Sequence, residues 1–339
     1  MNELPRVACD LSYVCDNGRP SGASSSQNHK QHRAMSSLSS LDRRNATYVL
    51  PDRAITPASL ADELLRFRTL YNVTSFPFRH DLYSSSLFQW RSLLELADRH
   101  PRDPAHLYCS RGRVSVDDRW SAHQELEVLP AEVLRSLCET DSLIMFKRLE
   151  EDHLFAPLIR SIQAEVIELT CGAMSDDIVV GRGTLLIASP GRITAYHVDA
   201  DVNFLFQIHG AKTFSVTDSR QHAAVSHEEL EQYFMGDLNA VRYDEDRRRR
   251  STVYELDAGF GVHVPCLTPH WAQNHEAPSV ALSINFDLRS MNSVRRIYRL
   301  NARLRSWGLK PQPPCASSWR DHAKLTALDV LSSHRFLRH

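Results

Sequence analysis

Hydrophobic periodicity changes character once along this chain. In the first half the apolar residues recur at helical spacing. Thr56-Pro57 reads as an N-cap followed by a first-turn proline, and Leu60, Leu64 and Phe67 then fall on one face. Leu154, Leu158, Ile162, Val166 and Leu169 repeat the same pattern and predict a helix over 152–170. Two more helices are expected at 88–99 and 130–138. The stretch 69–127 is polar with scattered aromatics and has no clear period.

From Thr184 the chain changes to short β-rich runs. The runs TLLIAS, ITAYHVD, NFLFQIHG, KTFSVTD, TVYELDAG, GVHVP, HWAQNH and SVALSINFDL follow one another, punctuated by Gly, Pro, Asp and Ser. Eight short strands at this density predict an antiparallel sandwich or barrel. One insertion interrupts them. Ser226 and Glu229 form a capping-box pattern that opens a short helix at HEELEQYF. The charged segment YDEDRRRR follows, and because its four arginines directly follow acidic residues it reads as a solvated loop.

A final helix is expected after the strands, capped by Ser290 and stopped by Gly308. Met291, Val294, Ile297, Tyr298 and Leu304 make its apolar stripe. Arg295, Arg296, Arg299 and Arg303 lie opposite. Such a helix either packs on the strands or pairs two copies of the chain as a homodimer. Beyond Pro311 the chain is Pro-rich and then weakly helical.

Composition changes this picture only at the N-terminus. The first 45 or so residues, with SGASSSQNHKQHRAMSSLSSLDRR, are too polar to offset their ordering entropy and read as a disordered tail. Elsewhere 42% apolar and 24% charged residues are ordinary for a soluble protein. The 40 basic and 41 acidic residues nearly cancel, which speaks against a nucleic-acid or membrane-surface partner. No run approaches a bilayer span, and the N-terminus lacks a signal-peptide pattern. Seven scattered cysteines without a CxxC pair argue for a reducing compartment, the cytoplasm, and against a thiolate zinc site.

The candidate chemistry sits in the strand region. On a regular strand, residues two apart share a face, so His197 and Asp199 should project together. A third ligand from a later strand would complete two histidines and a carboxylate on one side of a metal, an arrangement that favours non-haem Fe(II) and oxygen chemistry. His270 is the best candidate; His263 and His275 are not excluded by spacing.

Several residues at fixed intervals then add a resemblance. TAYHVDADVNFLFQIHGAKTFSV, VHVPCLTPHW and SVALSINF resemble the Jumonji-C-type cupins, which are Fe(II)- and 2-oxoglutarate-dependent oxygenases, and within them the asparaginyl-hydroxylase branch. Thr194 lies three residues before His197, Asn203 six after it, and Lys212 fifteen after it in QIHGAK. Pro265 precedes His270 by five residues, and Asn285 follows it by fifteen. The likeness runs over roughly 165–288. It implies a double-stranded β-helix (jelly roll, cupin) core at 181–290. A helical part at 46–180 and a C-terminal helical extension at 291–339 would flank it. It also implies that His197, Asp199 and His270 hold the iron, and that Thr194, Asn203, Lys212 and Asn285 hold 2-oxoglutarate.

The implied reaction consumes O2 and hydroxylates a C–H bond, in that branch on a peptide or protein side chain. Free amino acids or natural-product intermediates are alternative substrates, and a non-catalytic metal-binding regulatory cupin is the alternative of another class. Thr268-Pro269 replaces the aromatic pair often found before the distal histidine, and His209 fills a variable position. With no chromatin-reading module in the chain, histone demethylation is not implied.

Overall fold

Antiparallel pairing dominates the computed structural model, which describes residues 55–56, 66–120, 129–170, 172, 176–217 and 225–336. The expected N-terminal tail, together with Leu60 and Leu64, lies outside the described residues. In chain order the elements are β1 (Ile55–Thr56), β2 (Phe76–His80), α1 (Trp90–Arg99), β3 (Leu107–Arg111), α2 (Pro130–Arg135), β4 (Ser142–Phe146) and α3 (Ala156–Leu169). Then come β5 (Ile178–Ala188), β6 (Ile193–His197), β7 (Val202–His209), β8 (Lys212–Thr217), α4 (His227–Phe234) and α5 (Glu245–Arg249). The chain continues with β9 (Ser251–Leu256), β10 (Phe260–Val264), β11 (His270–Asn274), β12 (Ser279–Leu288), α6 (Arg289–Ser306) and α7 (Ser318–Phe336).

The pairing from β5 to β12 defines the architecture. β5 pairs with β12, β6 with β11, β7 with β10 and β8 with β9. Each early strand thus meets its mirror image in chain order, like one long hairpin rolled up. This is a jelly roll, the double-stranded β-helix. β5, β12, β7 and β10 lie in one sheet, and β6, β11, β8 and β9 form the other.

β1 to β4 extend the larger sheet at both edges, giving the order β1-β2-β10-β7-β12-β5-β4-β3. The N-terminal part thus carries its expected helices at 90–99, 130–135 and 156–169, and adds four strands that the sequence reading did not expect. FPFRH carries a proline, and LYCSR and SLIMF are too short to show a period. They are strands because the sheet edges accept them, a tertiary effect that local propensity does not carry.

The larger sheet is buried on both faces. On β7, Asn203 and Leu205 face the barrel interior, while Phe204 and Phe206 pack outward. Phe67 stacks on Phe204 at 6.0 Å and Phe78 meets Phe206 edge-on at 5.1 Å. The barrel's own core gathers Leu205, Phe214, Val216, Leu256, Val262 and Val264. Gly210 turns β7 into β8 at φ +71°, and a Cβ there would lie 2.4 Å from the Pro278 carbonyl oxygen.

At the C-terminal side the capping box of Ser226 and Glu229 opens α4 as expected. The charged segment includes the short helix α5. Its Arg247 makes two bonds to Glu229, and Arg248 and Arg249 pair with Glu245 and Asp246 one turn back. Ser290 does not cap α6. The helix starts one residue earlier, and Asp177 receives both the Ser290 N–H and its hydroxyl at 2.7 Å. The other end is a Schellman motif: Leu309 N–H bonds Leu304 O, and Gly308 N–H bonds Arg305 O. The apolar stripe of α6 is covered within the chain by Leu230 and Phe234 of α4. No helix among the described residues is long and apolar enough to cross a membrane.

Candidate functional site

β6 is an edge strand of the smaller sheet and carries a bulge. His270 pairs with His197, yet Ala272 pairs with Thr194, so three residues of β6 oppose two of β11. The extra residue breaks the period of two. Thr194 and His197, an odd number apart, consequently both line the interior. The strand ends at His197, so Asp199 belongs to the following loop rather than to a shared strand face. That loop is pinned by its backbone: Asp199 O accepts from Leu267 N at 2.7 Å.

The three groups converge nonetheless. Ligand atoms of His197, Asp199 and His270 lie within 4.8 Å of one another. Asp199 Oδ2 is 3.9 Å from His197 Nε2 and 3.7 Å from His270 Nε2. Each imidazole is oriented by a carbonyl. His197 Nδ1 sits 2.8 Å from Ala195 O, and His270 Nδ1 2.9 Å from Thr268 O. A carbonyl only accepts, so Nδ1 carries a proton and Nε2 is the ring atom left facing Asp199. Burial, and then the neighbouring His197, hold His270 well below the usual imidazole range. It is neutral, as a ligand must be, at physiological pH.

The same residues line a cavity of about 170 Å³ that also takes in Thr194, Asn203, Lys212 and Asn285. Lys212 is 6% exposed. Among the described residues its ammonium has neither an acceptor nor a carboxylate, and burial alone lowers its pKa to about 8. Asn203 and Asn285 face each other across β7 and β12. Asn203 Nδ2 donates to Asn285 Oδ1 at 2.6 Å and to Ser283 Oγ at 2.7 Å, which leaves Asn203 Oδ1 buried without a donor. All seven residues singled out from the sequence are thus in one cavity.

The two competing histidines are elsewhere. His263 is fully buried among Tyr71, Phe76 and Phe204 and accepts from Asn72 N at 2.9 Å. His275 is exposed beside Glu255 and Thr213. His209 contacts the Phe88 carbonyl at 2.9 Å and takes no part in the cavity. Thr268 and Pro269 act through their carbonyls, which meet His270 Nδ1 and Thr217 N.

Among the cavity residues off the barrel strands that the sequence did not single out are Trp120, Tyr233 and Leu238. Trp120 comes from the loop after β3, Tyr233 from α4 and Leu238 from the loop after it. Burial, followed by Asp199, pushes the Tyr233 hydroxyl far above its usual range. Tyr233 fell inside a predicted helix, where a tyrosine reads as packing. Trp120 fell in the stretch without a period, and nothing local marks it.

No family model matches the chain, and no curated protein matches it. Among solved structures, E. coli YcfD is similar at 15% identity, covering 82% of this chain and 68% of that one with a TM-score of 0.47. A structure of YcfD, described as a ribosomal oxygenase, with cobalt and 2-oxoglutarate has 14% identity, covers 80% of this chain and 66% of that one, and has a TM-score of 0.44. This chain thus spans about two thirds of the length of the YcfD chains. The Lactobacillus farciminis oxalate decarboxylase formate complex is similar at 15% identity over 34% of this chain and 25% of that one, with a TM-score of 0.23. The jelly-roll assignment rests on the strand pairing above, and these likenesses add no functional argument.

Proposed function

We propose that this chain is an Fe(II)- and 2-oxoglutarate-dependent oxygenase that hydroxylates a C–H bond on a peptide or protein side chain. One observation supports the reading best: a cavity that pairs a two-histidine, one-carboxylate set with a buried lysine lacking an anion. The donor set suits Fe(II), since two imidazole Nε2 atoms and one carboxylate oxygen converge. When bound, the iron supplies the oxidising chemistry, drawing on O2 and on decarboxylation of 2-oxoglutarate to succinate.

The protein's own groups do the rest. Lys212 offers a charge-assisted hydrogen bond to the far carboxylate of 2-oxoglutarate, and the Thr194 hydroxyl offers a second. Asn203 Oδ1 and the Asn203–Asn285 pair supply polar groups on the opposite wall. Phe214, Leu186, Leu205 and Ala272 exclude water around them.

The same inventory favours a protein substrate over a free amino acid. Among the described residues lining the cavity, the ionisable groups are the three metal ligands, Lys212 and the Tyr233 phenol. Nothing there would pair the ammonium and carboxylate of a free amino acid, and burying them unpaired is costly. A side chain entering on a peptide backbone brings no such charges.

The test is to incubate iron-loaded protein with 2-oxoglutarate and fractionated extract and to follow succinate together with a mass gain of one oxygen atom. The gain is expected in the protein or peptide fraction. A gain confined to small molecules would move the substrate to free metabolites. Tight iron and 2-oxoglutarate binding without succinate from any fraction would favour a regulatory cupin.

A further inference from the structure

The two ligand histidines are held differently. His270 stacks on Phe214 at 5.4 Å and 26°, and Phe214 belongs to the barrel core. His197 ends an edge strand just past a bulge, where the sheet offers no neighbour on the outer side. Its ring stacks instead on Trp120, at 4.9 Å and 26°. Trp120 stacks in turn on Tyr108 of β3, at 5.7 Å and 9°.

We propose that Trp120 is a positioning residue of the metal site, resting on the metal reading above, and that the loop over 112–120 is built to deliver it. The loop is fastened at three places. At its root the buried Arg192 guanidinium, two residues before Thr194, binds the Gly112 carbonyl, the Asp141 carboxylate at 2.8 Å and Ser110 Oγ at 2.6 Å. Midway, Tyr196 N donates to Val116 O at 2.9 Å, so the loop supplies the missing neighbour of β6. At its end Trp120 N donates to Asn239 Oδ1 at 2.5 Å, clipping it to the loop after α4. A single Nδ1–H bond to Ala195 O fixes one atom of the His197 ring, whereas a stacked indole fixes its plane. The aim of Nε2 therefore depends on a residue outside the barrel.

Outer partners that orient a metal-bound histidine typically change affinity by about 10- to 100-fold when removed. The test titrates Co(II), a stand-in for Fe(II), into the full chain and follows both its visible absorbance and tryptophan emission. Trp120→Ala should weaken Co(II) binding by about 10- to 100-fold. Trp120→Phe should keep most of the affinity, because a ring still stacks, but should lose the part of the quenching that reports Trp120. Asn239→Ala, which leaves the indole and frees its backbone, should lower both the affinity and the quenching. This third variant carries the test if Trp120→Ala does not fold. Wild-type affinity in either alanine variant would overturn the proposal, as would a phenylalanine variant as weak as the alanine one. Failure of the wild-type chain to bind Co(II) would instead remove the metal reading, and this inference with it.

Discussion

The metal end and the lysine end of one cavity are built to opposite standards. At the metal end both imidazoles are braced twice, by a carbonyl on Nδ1 and an aromatic ring on the face. The Asp199 backbone is tied as well. At the other end, among the described residues, Lys212 is buried with its charge unpaired and Asn203 Oδ1 has no donor. A braced, partly solvated set of ligands costs the fold little, while an unpaired buried cation is costly. The first arrangement is finished without its ligand; the second carries an electrostatic cost that an anion would relieve. On the function proposed above, preorganisation serves the metal and the electrostatic cost at Lys212 serves the co-substrate.

The largest effect should come from the finished end. Asp199→Ala and His270→Ala should each abolish stoichiometric Co(II) and Fe(II) binding and all succinate formation. Both should still unfold cooperatively, since the Asp199–Leu267 contact is backbone to backbone and survives the first substitution. Calorimetric metal titration beside a thermal melt separates the two claims. A variant that retains one metal per chain would show that the three groups are not its ligands.

Next comes the stressed end. A hydrogen bond to a charged group contributes about 1.5–3 kcal/mol, so Lys212→Met should weaken 2-oxoglutarate binding by roughly 10- to 150-fold. The ligand-free protein should change the other way. The fall of the Lys212 pKa from 10.5 to about 8 corresponds to a burial cost of about 3 kcal/mol. Lys212→Met should therefore melt higher than wild type without ligand and gain less from added 2-oxoglutarate. A variant that loses affinity and stability together would place the ammonium in a structural ion pair instead.

The same group sets the pH dependence. Its folded pKa lies below its unfolded one, so between about pH 8 and 10.5 the unfolded chain holds more protons. The cost is present in full below about pH 8, and ligand-free stability should rise as pH climbs through that window. Co-substrate affinity should run the opposite way, falling by about tenfold per unit above about pH 8 as the ammonium deprotonates. Lys212→Met should show neither trend.

How much of this was legible beforehand depends on whether a feature is local. Short β-rich runs set between turn-forming residues exposed all eight barrel strands. The intervals from His197 to Asn203 and Lys212 were legible only through the resemblance to the Jumonji-C-type cupins, since no period singles those two residues out. The β6 bulge was not. Strict alternation would send Thr194 and His197 to opposite faces, and only pairing against β11 shows the extra residue. Trp120 was invisible too, being some eighty residues from His197 in a segment without a period. β2, β3 and β4 were missed because their pattern makes sense only on the edges of a sheet that already exists.

The smallest expected effects concern the histidines that spacing left as rivals to His270. His263 stands on β10, fully buried, with Nε2 accepting from Asn72 N and Nδ1 without a partner. His263→Ala leaves a cavity among Tyr71, Phe76 and Phe204 and strips an N–H of its acceptor, so a loss of about 2–5 kcal/mol is expected. The folded fraction should nevertheless bind Co(II) as wild type does, since neither ring nitrogen reaches the ligand set. His275→Ala should do still less. Its ring lies at the surface between Glu255 and Thr213, and exposed pairs of that kind contribute about 0–1 kcal/mol. Stability should stay within about 0.5 kcal/mol and metal affinity should not move. Measured side by side, the two variants separate a histidine that matters to the fold from one that matters to neither fold nor metal. Weaker Co(II) binding in His275→Ala would mean that the exposed ring, rather than His270, closes the ligand set.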